Sequence, residues 1–201
     1  MSFVENTRKP VGLGGKLMVA AMNLGHQALA RWGLGFLNVG PEAEILDCGC
    51  GGGANLHALL KRCPKGTAVG LDYSPVSVAA SRKKNRAAIA AGRCRVEQGD
   101  VSALPFEDEK FDLATAFETV YFWPDLGGSF REVFRVLKPG GTFLICNESN
   151  GDTDRDEKWA KIIGGMTIYK DIELKAYLEQ AGFHEVQIHK KKSWLCVTAR
   201  K

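Results

Sequence analysis

A glycine-rich turn stands out among the stretches that could bind a ligand. Residues 45–53 read Ile-Leu-Asp-Cys-Gly-Cys-Gly-Gly-Gly, so a short apolar run ends in Asp47 and leads into four glycines. Residues 54–60 then have the apolar spacing of a helix. Glycine accepts a positive φ and leaves room for a ligand against the backbone, and the free N–H groups of a helix start can hold a polar or anionic group. The stretch predicts a strand, a ligand-binding turn and a helix.

The spacing of this turn also fits a dinucleotide-binding fingerprint. Gly49, Gly51 and Ala54 match G-x-G-x-x-G/A. Asp72 follows about 20 residues later, where such a fold places the acid that binds the ribose. A carboxylate at the end of a strand can accept hydrogen bonds from both ribose hydroxyls. On these residues alone, a dinucleotide site and a glycine turn without a ligand are both open.

Three later segments distinguish these alternatives. Gly-Leu-Asp-Tyr-Ser at 70–74, Gln-Gly-Asp-Val at 98–101 and Leu-Lys-Pro-Gly-Gly at 137–141 follow the glycine turn in that order. Together with Asp47 before the first glycine, they resemble the class I S-adenosylmethionine-dependent methyltransferase family over roughly residues 43–200. The combination is far more specific than any single motif.

The resemblance implies a fold, a cofactor and a set of binding residues. The implied fold class is α/β: a doubly wound, seven-stranded, mostly parallel sheet with a closing antiparallel hairpin, the Rossmann-like methyltransferase fold. The implied cofactor is S-adenosyl-L-methionine, with Asp72 on the ribose and Asp100 at the adenine amino group. The full set of implied cofactor-binding residues is Asp47, Gly49, Cys50, Gly51, Asp72, Tyr73, Asp100, Val101 and Phe117.

The catalytic candidates follow from the chemistry of methyl transfer. Alignment of nucleophile, methyl and sulfur, with exclusion of water, matters more than a fixed catalytic dyad. A nucleophile that arrives protonated does need a base, for which Glu118, Tyr121 and His26 are the candidates, although packing explains each of them equally well. Residues 121–123 are Tyr-Phe-Trp, which could hold a cation by cation–π contact. Because an extended chain alternates, core packing should take one ring, and Tyr121 and Trp123 are favoured for the pocket.

The remaining pattern predicts the elements that position these residues. Further strands are expected at 68–71, 93–98, 113–117 and 142–147, helices at 75–91, 126–136 and 171–181, and a hairpin from 184–190 and 193–199. Residues 148–170 contain three glycines and are expected to form a mobile lid. A helix is expected over 16–31, and in the resembled family such helices cover the cofactor cleft. Asn23 and His26 in this helix, and Trp32 directly after it, are candidates for lining the pocket.

Composition bounds the domain count and the cellular setting. The 201 residues suit one methyltransferase domain over 41–201, preceded by a tail and cap helices over 1–40. The net charge of +4 comes with basic clusters at 82–86 and 190–192, which fit solvated faces better than a nucleic-acid interface. Six cysteines without a C-x-x-C pair argue against zinc and for reduced thiols, so we expect no metal and a cytoplasmic location. No run approaches the ~20 apolar residues of a membrane span.

The acceptor is expected to be a small molecule. Family members that methylate nucleic acids or protein amides often carry (Asn/Asp/Ser)-Pro-Pro-(Tyr/Phe) after the fourth strand, where residues 117–120 are Phe-Glu-Thr-Val. The attacking atom is open to oxygen, nitrogen, sulfur or carbon. Three alternatives to a small-molecule methyltransferase stay open: an NAD-dependent oxidoreductase, a non-catalytic S-adenosylmethionine-binding module and an RNA methyltransferase.

Overall fold

One mixed sheet organises the fold. The computed structural model describes residue 12 and residues 25–201, apart from the side chains of residues 154, 155 and 157. In chain order the strands are β1 (Glu44–Cys48), β2 (Thr67–Asp72), β3 (Cys94–Gln98), β4 (Phe111–Phe117), β5 (Leu137–Asn147), β6 (His184–Lys191) and β7 (Trp194–Arg200). The helices are α1 (Gln27–Gly33), α2 (Ala54–Arg62), α3 (Pro75–Lys84), α4 (Arg86–Ala90), α5 (Leu126–Val136), α6 (Asp154–Ile162) and α7 (Asp171–Gln180), with 3₁₀ turns at Leu34–Phe36 and Val120–Phe122.

The strand order confirms the predicted fold class. The sheet runs β3-β2-β1-β4-β5-β7-β6, with β1 to β5 parallel and the β6–β7 hairpin antiparallel against β5. The order reverses between β1 and β4, so the loops after these two strands diverge. Ligands in open α/β sheets bind in the crevice that such a reversal opens at the carboxyl ends.

Both faces of the sheet are covered, which explains the continuous apolar runs of its central strands. Leu46 belongs to the hydrophobic cluster that includes residues of α5 and α7, while its neighbour Ile45 belongs to the cluster that includes residues of α1, α2 and α3. Neither side chain has exposed area. A strand buried on both faces has no polar side to alternate with.

The helix predicted over 75–91 is divided into α3 and α4 at Asn85. The Asn85 side chain is buried and donates hydrogen bonds from Nδ2 to the carbonyl oxygens of Gly53 and Ser81, both at 3.1 Å. The contact with Gly53 ties the end of α3 to the glycine turn. An asparagine that bonds backbone carbonyls competes with regular helix, so the helix breaks where this side chain is needed elsewhere.

Two further segments differ from the sequence prediction. β5 begins at Leu137, five residues earlier than expected, and the glycines of 139–141 form an irregularity in its pairing with β4. Residues 148–170, expected to form a mobile lid, contain α6, a helix that was not predicted there, and the Thr153 hydroxyl caps it by accepting a hydrogen bond from the Asp156 N–H.

The amino-terminal helix is only partly described. Of the helix predicted over 16–31, residues 16–24 lie outside the described residues, and the described part, α1, continues to Gly33. There α1 lies so close to β5 that a Cβ on Gly33 would come within 2.6 Å of Cys146 Sγ. In the part of the chain that is described, no helix combines the length and apolarity needed to span a membrane.

Candidate functional site

A cavity of about 390 Å³ lies at the carboxyl ends of β1, β2 and β4. Eight of the nine implied cofactor-binding residues line it, and these are Gly49, Cys50, Gly51, Asp72, Tyr73, Asp100, Val101 and Phe117. The catalytic candidates His26 and Glu118 also line it. Its volume is that of a site for a cofactor-sized ligand. We call it the first chamber.

The glycine turn forms one wall of the first chamber and needs glycine for two different reasons. Gly49 has φ 76°, and a Cβ there would overlap the Thr119 hydroxyl, so Gly49 permits close packing against the loop after β4. Gly51 has φ 50°, but a Cβ there would meet nothing within 4 Å because this residue faces the chamber. A ligand can therefore approach the backbone at Gly51 without a side chain in the way.

Asp72 connects the end of β2 with this turn. Its Oδ2 accepts a hydrogen bond from the Gly51 N–H and its Oδ1 accepts one from the Ser74 N–H, both at 2.9 Å. Burial raises the pKa of the carboxyl, while the hydrogen bonds from Ser74 and Gly51 act in the opposite direction. Each carboxylate oxygen has a second lone pair, so the group can still accept hydroxyl protons from a ligand.

The far end of the first chamber carries Asp100 and Val101. Asp100 Oδ1 accepts hydrogen bonds from the Ser102 N–H at 2.9 Å and the Ser102 hydroxyl at 2.8 Å, which fixes this exposed side chain. Among the described residues that line the chamber there is no lysine or arginine, whereas Asp72, Asp100 and Glu118 are acidic. This charge balance suits a cationic ligand better than the pyrophosphate of a dinucleotide.

Asp47, the ninth implied residue, does not line the chamber. It is 1% exposed, and its Oδ1 accepts a hydrogen bond from the Thr115 hydroxyl at 2.8 Å. Burial raises its pKa to about 7, opposed by the Thr115 hydrogen bond and reinforced by the charge of Asp72. Its Oδ2 has no hydrogen-bond partner among the described residues. Asp47 thus lies two residues before Gly49, at the base of the turn and not on its ligand-facing surface.

A second chamber of about 210 Å³ adjoins the first. The two share His26, Glu118 and Phe122, which therefore stand at their junction. The other lining residues of the second chamber are Tyr121, Glu148, Ser149, Thr153, Asp156, Trp159, Ile163, Met166 and Ser193. Most of its apolar wall comes from α6 and the residues just after it.

Glu118 is the most constrained group at the junction. It has φ 58°, in the left-handed region that non-glycine residues rarely adopt. Its Oε1 accepts hydrogen bonds from the Tyr121 hydroxyl at 3.3 Å and from the Glu148 N–H, and its Oε2 lies 3.8 Å from His26 Nε2. Burial raises the pKa of Glu118 to about 8. The carboxyl can hold or release a proton near neutral pH.

His26 faces two carboxylates at this junction. Its Nε2 is 3.5 Å from Glu148 Oε2 as well as 3.8 Å from Glu118 Oε2. Burial lowers the pKa of His26, and the charge of Glu148 opposes that shift. The neutral imidazole is therefore favoured, and among the described residues no lysine or arginine pairs with the two acids.

All three aromatic residues of 121–123 border a chamber, contrary to the expectation that core packing removes one. Tyr121 lines the second chamber, Trp123 the first, and Phe122 both. The segment Val120–Phe122 is a 3₁₀ turn and not an extended strand, so its side chains do not alternate between two faces. Trp123 also belongs to the core, with its ring 5.8 Å from that of Phe130.

Two other pocket candidates from the sequence are not brought to the site. Trp32 packs against Trp194, with ring centroids 5.8 Å apart, and lines neither chamber. Asn23 lies outside the described residues. Conversely, Trp159, Ile163 and Met166 line the second chamber although no sequence motif marks them. Their only signal was the presence of large apolar side chains in a segment otherwise rich in charge and glycine.

Comparison with known proteins identifies the domain. The family described as "Methyltransferase domain" matches residues 46–145, close to half of the chain. A cycloartenol-C-24-methyltransferase of Arabidopsis thaliana is 31% identical over 160 residues, which cover 75% of this chain and 47% of that protein. A demethylmenaquinone methyltransferase of Roseiflexus castenholzii is 35% identical over 147 residues, which cover 73% of this chain and 60% of that protein. The chain thus spans roughly half the length of these relatives.

Solved structures share the fold over nearly the whole chain. A SAM-dependent methyltransferase from Aquifex aeolicus superposes with a TM-score of 0.76 at 19% identity, covering 92% of this chain and 97% of that one. Human N-acetylserotonin methyltransferase in complex with SAM gives a TM-score of 0.76 at 18% identity, covering 94% of this chain and 56% of that one. The family match, the relatives and the sheet order agree with the motifs that surround the first chamber. The chain belongs to the class I S-adenosylmethionine-dependent methyltransferase family, and its cofactor is S-adenosylmethionine.

Proposed function

We propose that this chain transfers a methyl group to a small-molecule acceptor with an apolar body, which occupies the second chamber. The observation that carries the proposal is the junction at which His26, Glu118 and Phe122 line both chambers. A cofactor in the first chamber and an acceptor in the second would meet at these residues. Alignment of two reactants at such a point can lower the barrier by roughly 7–11 kcal/mol in favourable cases.

The first chamber has the donors and acceptors that the cofactor requires. Gly51 offers open backbone and Asp72 offers lone pairs, which we assign to the ribose hydroxyls. We assign Asp100 and Val101, which also line the chamber, to the adenine. The remaining cofactor contacts in this proposal are Gly49, Cys50, Tyr73 and Phe117. Asp47 would act by holding the turn in place, since it does not border the chamber. When bound, S-adenosylmethionine supplies the methyl group together with a good leaving group.

Glu118 is the residue that we assign to accept the acceptor's proton. It borders both chambers, and the Tyr121 hydroxyl and the Glu148 N–H fix its Oε1, which leaves Oε2 toward His26. A base with a pKa near the working pH transfers protons efficiently, and the pKa of Glu118 is about 8. Tyr121 would position the carboxylate, because burial raises the pKa of its own hydroxyl and keeps it protonated.

The second chamber is suited to an acceptor that is apolar over most of its surface. Trp159, Ile163 and Met166 form one wall, and Phe122 forms part of the boundary with the cofactor chamber. The two relatives described above are named for cycloartenol and demethylmenaquinone, which are apolar acceptors. A volume of about 210 Å³ would admit the reacting end of such a molecule.

The experiment that tests this proposal fills the second chamber. Met166→Trp places an indole in the proposed acceptor space, and Ile162→Trp adds the same ring on α6 at a side chain that is 58% exposed and lines neither chamber. The readout is release of S-adenosylhomocysteine with a panel of quinol, sterol, phenol and amine acceptors. We expect Met166→Trp to bind the cofactor normally and lose turnover, and Ile162→Trp to retain both. Turnover by Met166→Trp at the rate of the unsubstituted protein would contradict the proposal.

A further inference from the structure

We infer that the second chamber binds acceptors that carry a positive charge, an ammonium group on an apolar body. The inference rests on the proposed function, because it concerns the occupant of the same chamber. Two observations support it: the acidic side chains Glu118, Glu148 and Asp156 that line the chamber, and the aromatic rings that line it with them.

The charged groups of the second chamber are nearly all acidic. Glu118, Glu148 and Asp156 line it, and His26 is the one basic side chain among the described lining residues. Where side chains are described, no lysine or arginine nitrogen lies within 4.0 Å of these three carboxylates. By contrast, Asp152, outside both chambers, pairs with Lys190 at 3.0 Å. In the described part of the chain, the acids of the chamber therefore have no lysine or arginine to balance them.

Asp156 shows that this charge extends into the chamber and is not confined to its mouth. The residue is 4% exposed, and its Oδ2 accepts a hydrogen bond from the Gly151 N–H at 3.1 Å. Glu148 lies at the mouth, with its side chain 48% exposed. A buried carboxylate is costly unless a cation or hydrogen bonds compensate it, so a cationic group that enters the chamber gains attraction from both acids.

The walls between these acids have the chemistry that an organic cation prefers. Tyr121, Phe122 and Trp159 border the chamber, and aromatic faces attract ammonium groups while accommodating the alkyl groups that they carry. Ile163 and Met166 offer further apolar contact for the body of the acceptor. A neutral acceptor of the same shape would use the apolar wall but leave the acids uncompensated.

A metal ion is the alternative ligand for the acids of this chamber. The donor atoms of His26, Glu118 and Glu148 lie within 4.8 Å of one another, a spacing that a divalent ion could bridge. The chamber, however, has a volume of about 210 Å³ and aromatic and aliphatic walls that a hydrated ion does not use. An organic cation accounts for both the charge and the apolar surface.

The test compares two probes of equal shape on the protein saturated with S-adenosylhomocysteine. Benzyltrimethylammonium carries a permanent charge and cannot be methylated, and neopentylbenzene is its neutral carbon isostere. Displacement of an environment-sensitive dye, measured at constant ionic strength with EDTA present, gives both affinities. We expect the cation to bind at least about tenfold more tightly than the isostere, as a desolvated cation–π and carboxylate site would give.

Two charge-removing variants locate the effect. Glu148→Gln should reduce the preference for the cation several-fold, whereas Glu107→Gln removes the same charge at an exposed position outside both chambers and should leave the preference unchanged. Equal affinity for the two probes, or displacement of the cation by Mn²⁺ when EDTA is omitted, would overturn the inference. Because S-adenosylhomocysteine binding is measured on the same samples, failure of the cofactor site is recognised separately from failure of this inference.

Discussion

The Gly51 N–H donates a hydrogen bond to Asp72 Oδ2 at 2.9 Å, which joins the turn after β1 to the end of β2. A second bond from the Ser74 N–H to Oδ1, also 2.9 Å long, fixes the other carboxylate oxygen. The carboxylate is thus oriented by the backbone before any ligand arrives. Preorganisation of this kind reduces the entropy lost on binding.

Asp72→Ala should weaken cofactor binding. The substitution removes the carboxylate that we assign to the ribose, and hydrogen bonds to charged groups contribute about 1–3 kcal/mol, or roughly 5- to 150-fold in Kd. Isothermal titration with S-adenosylhomocysteine measures the change. Asp72→Asn is the matched control for shape: an amide retains one acceptor for Gly51 or Ser74 and should give an intermediate Kd. A folded Asp72→Ala protein with unchanged affinity would remove Asp72 from the cofactor site.

Glu118→Gln should slow the methyl transfer while leaving the cofactor bound. General-base catalysis contributes typically about 10²–10⁴-fold, so kcat should fall by that range for an acceptor that arrives protonated. Because the pKa of Glu118 is raised to about 8, the basic form accumulates as pH rises, and the rate should increase up to about pH 8 in the unsubstituted protein. His26, Glu148 and Tyr121 face this carboxyl, and their own substitution should displace the inflection. A profile of kcat against pH with the same inflection in Glu118→Gln would show that another group titrates.

Trp159→Ala should weaken acceptor binding and not cofactor binding. The indole lines the second chamber but not the first, and it is 39% exposed, so its loss removes contact area for the acceptor without opening a core cavity. We expect the KM of the acceptor to rise about tenfold, which corresponds to ~1.4 kcal/mol. Ile172→Ala is the control, because this side chain is large, apolar, 70% exposed and remote from both chambers. An increase in the Kd of S-adenosylmethionine without a change in the acceptor KM would contradict the division into two chambers.

Asp47→Asn should change how stability depends on pH. The pKa of Asp47 is about 7 in the folded protein against an ordinary 3.8, so between these values the folded state keeps a proton that the unfolded state has lost. The unfolding free energy of the unsubstituted protein therefore falls as pH rises from about 4 to 7. An amide does not titrate, so Asp47→Asn does not share this fall. Between about pH 4 and 7, its unfolding free energy should therefore rise by up to about 4 kcal/mol relative to that of the unsubstituted protein.

Urea unfolding at several pH values measures that difference. The matched control is Glu107→Gln, because Glu107 is exposed. The unfolding free energy of this variant should differ from that of the unsubstituted protein by nearly the same amount at every pH. If the unfolding free energies of Asp47→Asn and of the unsubstituted protein change in parallel with pH, the buried Asp47 carboxyl does not hold the proton that the folded state is expected to keep.

The sheet and the glycine turn could be predicted from sequence because their signals are local. The strand before Gly49, the acid that ends β2 and the hairpin of β6 and β7 each depend on a few neighbouring residues with distinctive turn chemistry. The arrangement of these elements in one sheet is implied by the family resemblance and not by the local signals. The structure confirms the fold class that the resemblance implies, and it brings Gly51, Asp72 and Asp100 to one chamber.

The second chamber could not be predicted because it depends on contacts between distant segments. The Thr167 N–H donates to the Tyr121 carbonyl oxygen at 2.8 Å, which places the residues after α6 against the loop after β4. No periodic pattern in residues 148–170 predicts this contact. Likewise, the break at Asn85 follows from a bond to Gly53, 32 residues away, which a helix pattern does not reveal.

Calorimetric titration tests whether the first chamber is the site for S-adenosylmethionine. Purified protein is titrated in parallel with S-adenosylmethionine, S-adenosylhomocysteine and NADH, with Asp72→Ala as the control for location. We expect both sulfur nucleotides to bind one per chain and NADH to give no heat of binding. Binding of NADH alone, or sulfur-nucleotide binding that is unaffected by Asp72→Ala, would contradict the assignment of the first chamber to S-adenosylmethionine.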